Sequence, residues 1–305
     1  MFIHKYSQLG DEVISYEKSI KICRQSRNMH LGQIKLLFSE LVFLNKYAKP
    51  GFTILYIGAA SGYHITCLAD MFPDCKFDLW DPRDFEVEAR KNITIYQDFF
   101  TDNSAKNYAL TNVEKLLLMC DLRNLEIGET KKKGKINISK MDEITDADMK
   151  LQADWCKIIR PYKAYLKFRL PYEIPIVKYL RGKIYLQPYT KVSTEARLLT
   201  DDYDSEVLYD TILFQDKLAY HNAYNRCTKI IKSPWLSIME KNNLYPVWDT
   251  EYALWTLHKY LLNNNINSKK KTIELYMKII DFHIKQYGDK YSVIFNDKKL
   301  PNNHS

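Results

Sequence analysis

The run TILYIGAASGYHI, residues 53–65, joins an apolar stretch to the glycine pair Gly58 and Gly62. Glycine tolerates positive φ and lets a backbone approach a ligand closely. The spacing matches neither the dinucleotide G-x-G-x-x-G nor the phosphate-binding G-x-x-x-x-G-K-[ST], and the missing lysine argues against a nucleoside triphosphatase. Asp81 follows 19 residues after Gly62 at the end of KFDLW. An acid there can accept from ribose hydroxyls, and Arg83 is placed to pair with it or to touch a cofactor. Asp121 ends LLLMC, where strand ends of open α/β sheets face a ligand crevice. Lys167 interrupts AYLKF, where an unpaired lysine is costly and a desolvated one can act as a base. Glu195 stands two residues before Arg197 in STEARLL. Each also has an ordinary reading: a solvated strand-end aspartate, an edge-strand lysine that blocks aggregation, a surface salt bridge.

These residues need elements to hold them. Residues 31–48 place Ile34, Leu37, Phe38, Leu41 and Leu44 at helical spacing, with Lys35 beside the stripe and Pro50-Gly51 beyond its end. Strands are predicted at 53–57, 76–80, 93–96, 115–120, 164–168 and 183–187, with helices at 63–71, around 104–109 and at 142–159. The last has an acidic first turn that suits the helix dipole. Residues 129–141 read as a polar loop holding KKKGK, either a solvated lysine run or a contact for phosphates. Such alternation predicts an open, mainly parallel sheet with helices on both faces. Residues 203–230 and 250–286 read as helices packed on that sheet, and 297–305 as a disordered polar tail. The expected division is one domain over 1–296 followed by the tail.

Composition sets outer limits. Across 305 residues, 46% are hydrophobic, enough for a substantial core. No run approaches the roughly 18 apolar residues of a membrane span, and residues 1–10 do not resemble a signal peptide. A cytoplasmic protein is expected. The net charge of +8, with 23 Tyr and 13 Phe, admits a polyanionic partner whose bases stack on aromatic rings. The six cysteines form no C-x-x-C pair, so they read as reduced thiols and no metal site is expected.

Six stretches, in order, carry a family resemblance: GQIKLLFSELVFLNK, LYIGAASGYHI, LWDPR, LLMCDLR, YLKFRLPY and STEARLL. The chain resembles the poxvirus-type cap-specific mRNA 2′-O-methyltransferases, which also serve as small processivity subunits of poly(A) polymerase. The resemblance spans residues 30–230. It implies a Rossmann-like S-adenosylmethionine-dependent methyltransferase fold with added N- and C-terminal helices. It also implies a tetrad of Lys35, Asp121, Lys167 and Glu195. Lys167 would take the proton of a ribose 2′-hydroxyl or orient its lone pair, with Asp121 and Glu195 positioning the lysines. The implied chemistry needs no metal.

The same resemblance places S-adenosylmethionine against Tyr56, Gly58, Gly62, His64, Asp81 and Arg83, with Phe99 and Phe100 at its adenine. A methylated guanine would stack on Tyr172 and Tyr16, with Glu173 as acidic partner and Arg169 toward the transcript. The chain departs from the family at Ser61, where proline is usual, and at Val192, where a tyrosine stacks. It also lacks a glutamate between Gln215 and Asn225. The implied function is methylation of the first transcribed nucleotide of capped mRNA. Two other readings stay open: a non-catalytic RNA-binding processivity subunit beside a poly(A) polymerase catalytic subunit, and a 2′-O-methyltransferase of uncapped RNA.

Overall fold

The computed structural model describes residues 2–24, 31–124, 131–132, 135–190 and 194–287. Chain order begins with helices α1 (Tyr16–Arg24) and α2 (Gly32–Tyr47), then strand β1 (Thr53–Ile57), α3 (His64–Met71), β2 (Lys76–Trp80) and β3 (Ile93–Tyr96). It continues through α4 (Asp102–Ala109), β4 (Leu116–Cys120), a ribbon of β5 (Lys131–Lys132) and β6 (Lys135–Ile136), α5 (Ile138–Ile159) and β7 (Lys163–Phe168). Then come β8 (Ile176–Leu180), β9 (Lys183–Tyr185), β10 (Ala196–Thr200), β11 (Glu206–Asp210), α6 (Thr211–Tyr220), α7 (Leu236–Lys241), α8 (Trp248–Asn263) and α9 (Lys269–Tyr287).

Seven strands form one sheet in the order β3-β2-β1-β4-β7-β10-β9. The pairings from β3 to β7 are parallel, whereas β10 runs antiparallel to β7 and β9. β1 and β4 are buried along nearly their whole length, as apolar runs covered on both faces must be. Helices flank the sheet: α2 packs on α3 and α8, α8 on α9, and α4 on α5. This is an α/β fold with a mixed central sheet and extra terminal helices, of the Rossmann-like type related to methyltransferases. Chain order reverses at β1, since β2 and β3 lie to one side and β4 and β7 to the other. Ligands of open α/β sheets bind beyond the strand ends at such a reversal. Gly58 and Asp121 sit there.

Several expectations need correction. The span 203–230 is not one helix. EVLYD, rich in strand-formers, pairs antiparallel with β8, and the helix starts only at Thr211, capped by Asp210. β8 and β10 were not foreseen; β10 is buried at every position, so it lacks the alternation that marks a strand. The predicted polar loop at 129–141 instead holds the β5–β6 ribbon and the start of α5. That helix begins at Ile138, so its first turn is not acidic. Asp142 is buried and accepts the backbone N–H groups of Tyr172 (2.7 Å) and Glu173 (2.8 Å). Residues 250–286 are helical as expected, in two helices divided where Asn265 takes φ +60°. The predicted tail at 297–305 lies outside the described residues.

Candidate active site

The cleft is set by strand register. In the β7–β10 pair Lys167 stands directly opposite Arg197. Two like charges facing across strands repel. Asp121, released from the end of β4 beside β7, lies between them: its Oδ1 accepts from Arg197 Nη2 at 2.7 Å and is 3.5 Å from Lys167 Nζ. Glu195, just before β10, has Oε2 3.8 Å from Lys167 Nζ. Its Oε1 accepts from Lys35 Nζ at 2.5 Å. Lys35 arrives from the first turn of α2, so four elements deliver the four predicted side chains to one place.

Arg197 makes the cluster five-membered. It is 2% exposed and also donates to the Cys120 carbonyl at 3.1 Å. With its amide oriented to satisfy both ends, Gln187 donates to Glu195 Oε1 (3.1 Å) and accepts from Arg197 Nε (2.9 Å). Burial opposes charge on Asp121, but Lys167, Arg197 and Lys35 outweigh it and hold the carboxyl below its ordinary range. Burial also opposes charge on Glu195, yet Lys35, Lys167 and Arg197 hold it well below. Both acids are therefore carboxylates at neutral pH. Three cations against two carboxylates leave the centre net positive, which suits charge developing on an oxygen.

A cavity of about 360 Å³ opens over this cluster, lined also by Tyr16, Arg169 and Tyr172. It is also lined by Thr145, Asp148 and Gln152 of α5, a polar stripe at helical spacing that the sequence reading missed, and by the apolar Met149. Gln33 and Arg123 were missed as well. The Tyr16 and Tyr172 ring centroids lie 5.6 Å apart, and the Arg169 guanidinium sits 5.0 Å from the Tyr172 ring centre. Glu173 is exposed beside Tyr172 and does not line the cavity. Val192 falls outside the described residues, as do Lys133 and Gly134 of KKKGK.

A second cavity, about 710 Å³, shares Arg83 and Arg123 with the first. Gly58, Asp81, Phe99, Phe100, Trp80 and Trp155 line it. Gly58 has φ +77°, and a Cβ there would come 2.8 Å from the backbone of Asp121 and Leu122. Its close approach is thus to β4, which seats Asp121. Phe100 packs edge-on against Trp155 (5.0 Å) and Trp80 (5.3 Å), while Phe99 is exposed at the rim. Asp81 is buried. Its Oδ1 accepts from Arg83 Nε (2.9 Å) and its Oδ2 from Arg83 Nη2 (2.8 Å) and the Ala60 N–H (3.1 Å). Aromatic walls and an edge carboxylate fit a flat heterocycle bearing a diol, provided the largely exposed Arg83 side chain yields Asp81. The volume is within the range of roughly 300–1,000 Å³ usual for small-molecule sites.

Tyr56, Gly62 and His64 do not line this cavity. Tyr56 donates to Glu40 Oε1 at 2.5 Å, His64 Nε2 lies 2.9 Å from Glu40 Oε2, and His64 Nδ1 lies 2.7 Å from Gln33 Oε1. This buried network ties α2, which carries Lys35, to β1 and α3. Gly62 (φ +76°) shapes the turn, where a Cβ would meet the Ala59 carbonyl oxygen at 2.6 Å. Among the described residues no His, Cys, Asp and Glu cluster could hold a metal ion. None of their helices is long and apolar enough to cross a membrane.

A cap-specific mRNA (nucleoside-2′-O-)-methyltransferase of Myxoma virus (strain Lausanne) is 26% identical over 293 residues, covering 91% of this chain and 81% of that protein. The Fowlpox virus (strain NVSL) protein of the same name is 32% identical over 187 residues, covering 55% of this chain and 57% of its own. The structure of bluetongue virus VP4, described as a multifunctional RNA-capping production line, overlaps 72% of this chain and 37% of its own at 12% identity and a TM-score of 0.41. The family model described as poly A polymerase regulatory subunit matches residues 3–293. The chain therefore belongs to the poly A polymerase regulatory subunit family, a group linked to viral RNA capping and polyadenylation.

Proposed function

We propose that this chain serves RNA processing in two ways: as the regulatory partner of a poly(A) polymerase catalytic subunit, and as an S-adenosylmethionine-dependent 2′-O-methyltransferase of capped mRNA. The family description favours the first. The observation that carries the second is the buried Lys35–Glu195–Lys167–Asp121 cluster, open to a cavity that adjoins an aromatic one. A purely regulatory subunit has no use for three desolvated cations balanced on two carboxylates, an arrangement costly to bury.

In the catalytic reading Asp81, Phe99, Phe100 and the turn at Gly58 hold the cofactor. When bound, S-adenosylmethionine supplies an electrophilic methyl group on a sulfonium. Lys167 holds the ribose 2′-oxygen with a lone pair directed at that methyl, and the hydroxyl proton leaves to water in the open cavity as the oxygen takes the methyl group. Asp121 and Glu195 fix the ammonium of Lys167, and Lys35 and Arg197 fix the carboxylates. The net positive centre steadies negative charge as it grows on the oxygen. The rest of the acceleration comes from holding both reactants in line. Tyr172 and Tyr16 stack on the methylated guanine, a cation attracted to their faces. The Asp142 carboxylate holds the Tyr172–Glu173 backbone in place.

Methyl transfer to cap-0 RNA, with and without a cap analogue, tests this reading. Transfer that the analogue suppresses supports it. Transfer that the analogue leaves untouched indicates an uncapped substrate, and no transfer together with stimulated tail elongation leaves only the regulatory role.

A further inference from the structure

Behind the reaction cavity runs a buried hydrogen-bonded chain. His64, at the start of α3, and Glu40, on α2, are both buried and line neither cavity. Gln33, which His64 touches, does line the cavity over the lysine–carboxylate cluster. Polar groups this deep are costly unless each finds a partner. Tyr56 holds Glu40 Oε1, His64 Nε2 meets Glu40 Oε2, and His64 Nδ1 meets Gln33 Oε1. The chain thus joins β1 to one wall of the site.

Its hydrogen bonds have a fixed direction. The His64 backbone N–H can only donate, and it meets the Gln33 side chain at 3.3 Å, so the atom there is the amide oxygen. The same oxygen lies 2.7 Å from His64 Nδ1, which must therefore carry a hydrogen. At the other ring nitrogen, 2.9 Å from Glu40 Oε2, one proton is shared. On Nε2 it makes an ion pair, and on the carboxyl a neutral pair. In both placements Nδ1–H donates to Gln33. A neutral His64 with its hydrogen on Nε2 is excluded, because its Nδ1 lone pair would face the Gln33 oxygen. Two donors on one oxygen fix which end of the Gln33 amide is NH₂ and turn that end away from His64. Gln33 stands beside the glycine turn, since His64 follows Gly62 by two residues. Ala60 of that turn and Arg83 line the same cavity, and Arg83 lines the aromatic one as well. An amide N–H and a guanidinium on this side suit a carboxylate. S-adenosylmethionine carries one, on the arm that leaves its sulfonium away from the adenosine.

We infer that His64 is a positioning residue: its Nδ1–H, kept in place by Glu40, pins the Gln33 oxygen and presents the Gln33 N–H groups to the carboxylate of S-adenosylmethionine. This rests on the catalytic half of the proposed function. His64→Gln carries its amide to the Nε2 position, which keeps the reach to Glu40 and loses the donor to Gln33. His64→Asn carries its amide near Nδ1 and keeps that donor. Gln33→Glu still accepts from His64 but offers the cavity an oxygen in place of an N–H. Calorimetry measures how the full chain and these three variants bind S-adenosylmethionine and 5′-methylthioadenosine, which lacks the carboxylate. His64→Gln and Gln33→Glu should weaken S-adenosylmethionine about tenfold or more, the scale of a lost hydrogen bond to a charged group, and leave 5′-methylthioadenosine near wild type. His64→Asn should recover most of the loss. Wild-type affinity for S-adenosylmethionine in Gln33→Glu overturns the inference. Gln33 is only half-buried, so this variant decides the matter even where circular dichroism shows the His64 variants unfolded. Equal loss of both ligands also overturns it, as does a loss in His64→Asn as large as in His64→Gln. A wild type that does not bind S-adenosylmethionine overturns the catalytic reading and this inference with it.

Discussion

Arg197 decides whether the cluster holds together. Its guanidinium is fully desolvated, and it holds both the side chain of Asp121 and the Cys120 carbonyl. Truncating one member of a buried ion pair typically costs about 3–5 kcal/mol, because the remaining charge is left without compensation. Arg197→Ala should destabilise by that order in urea unfolding, and Lys167→Ala, whose side chain faces the cavity, by clearly less. Much of this centre was legible in the sequence because charge inside apolar runs is conspicuous: Asp121, Lys167 and Glu195 stand out in their strings. The weight of Arg197 was not legible. It reads as half of a surface salt bridge until the antiparallel register of β10 places it opposite Lys167.

At the scale of elements, two local devices aim the site. The first is the turn after β1. Gly58→Ala would put a methyl group against the Asp121 backbone at positive φ, a conformation that costs about 1–3 kcal/mol for a residue with a side chain. The expected result is lowered stability and slower methyl transfer, because Asp121 moves with the β4 end. The second device is Asp142. Asp142→Ala leaves two backbone N–H groups unpartnered, at about 1–3 kcal/mol for each buried one. It should raise KM for capped RNA while leaving cofactor affinity near wild type. Strands bounded by turn residues, such as β1, β2 and β4, were readable from pattern alone. β10 was not, because burial on both sides removes alternation. β11 was absorbed into a helix because the apolar spacing of α6 runs on directly from it.

For the whole molecule, acid should loosen the fold through buried histidines. Burial and Arg226 push His221 down to about 3, and burial pushes His283 down to about 4, with a nearby His64 acting in the same direction. Both folded values lie below the unfolded value of about 6.5, so the unfolded chain binds protons that the folded chain refuses. Their contribution is complete above about pH 6.5 and shrinks as pH falls, by up to about 1.4 kcal/mol per unit for each group. Asp121 and Glu195 contribute in a lower window. Their depressed values keep their share intact down to about pH 4, below which it is lost. Burial raises Asp78, Asp148 and Glu251, and their protonation offsets part of the loss. Urea midpoints should therefore fall between pH 7 and pH 5, and His221→Asn should flatten that fall.

The most direct measurement is methyl transfer to cap-0 RNA by wild type and Lys167→Ala, run beside tail elongation by the poly(A) polymerase catalytic subunit in the same preparations. The wild type should transfer methyl groups, Lys167→Ala should lose about 10²–10⁴-fold in rate, and elongation should be stimulated equally by both. A wild type that transfers nothing, or a variant that transfers as fast, would contradict the reading of the lysine–carboxylate cluster as a methyl-transfer centre.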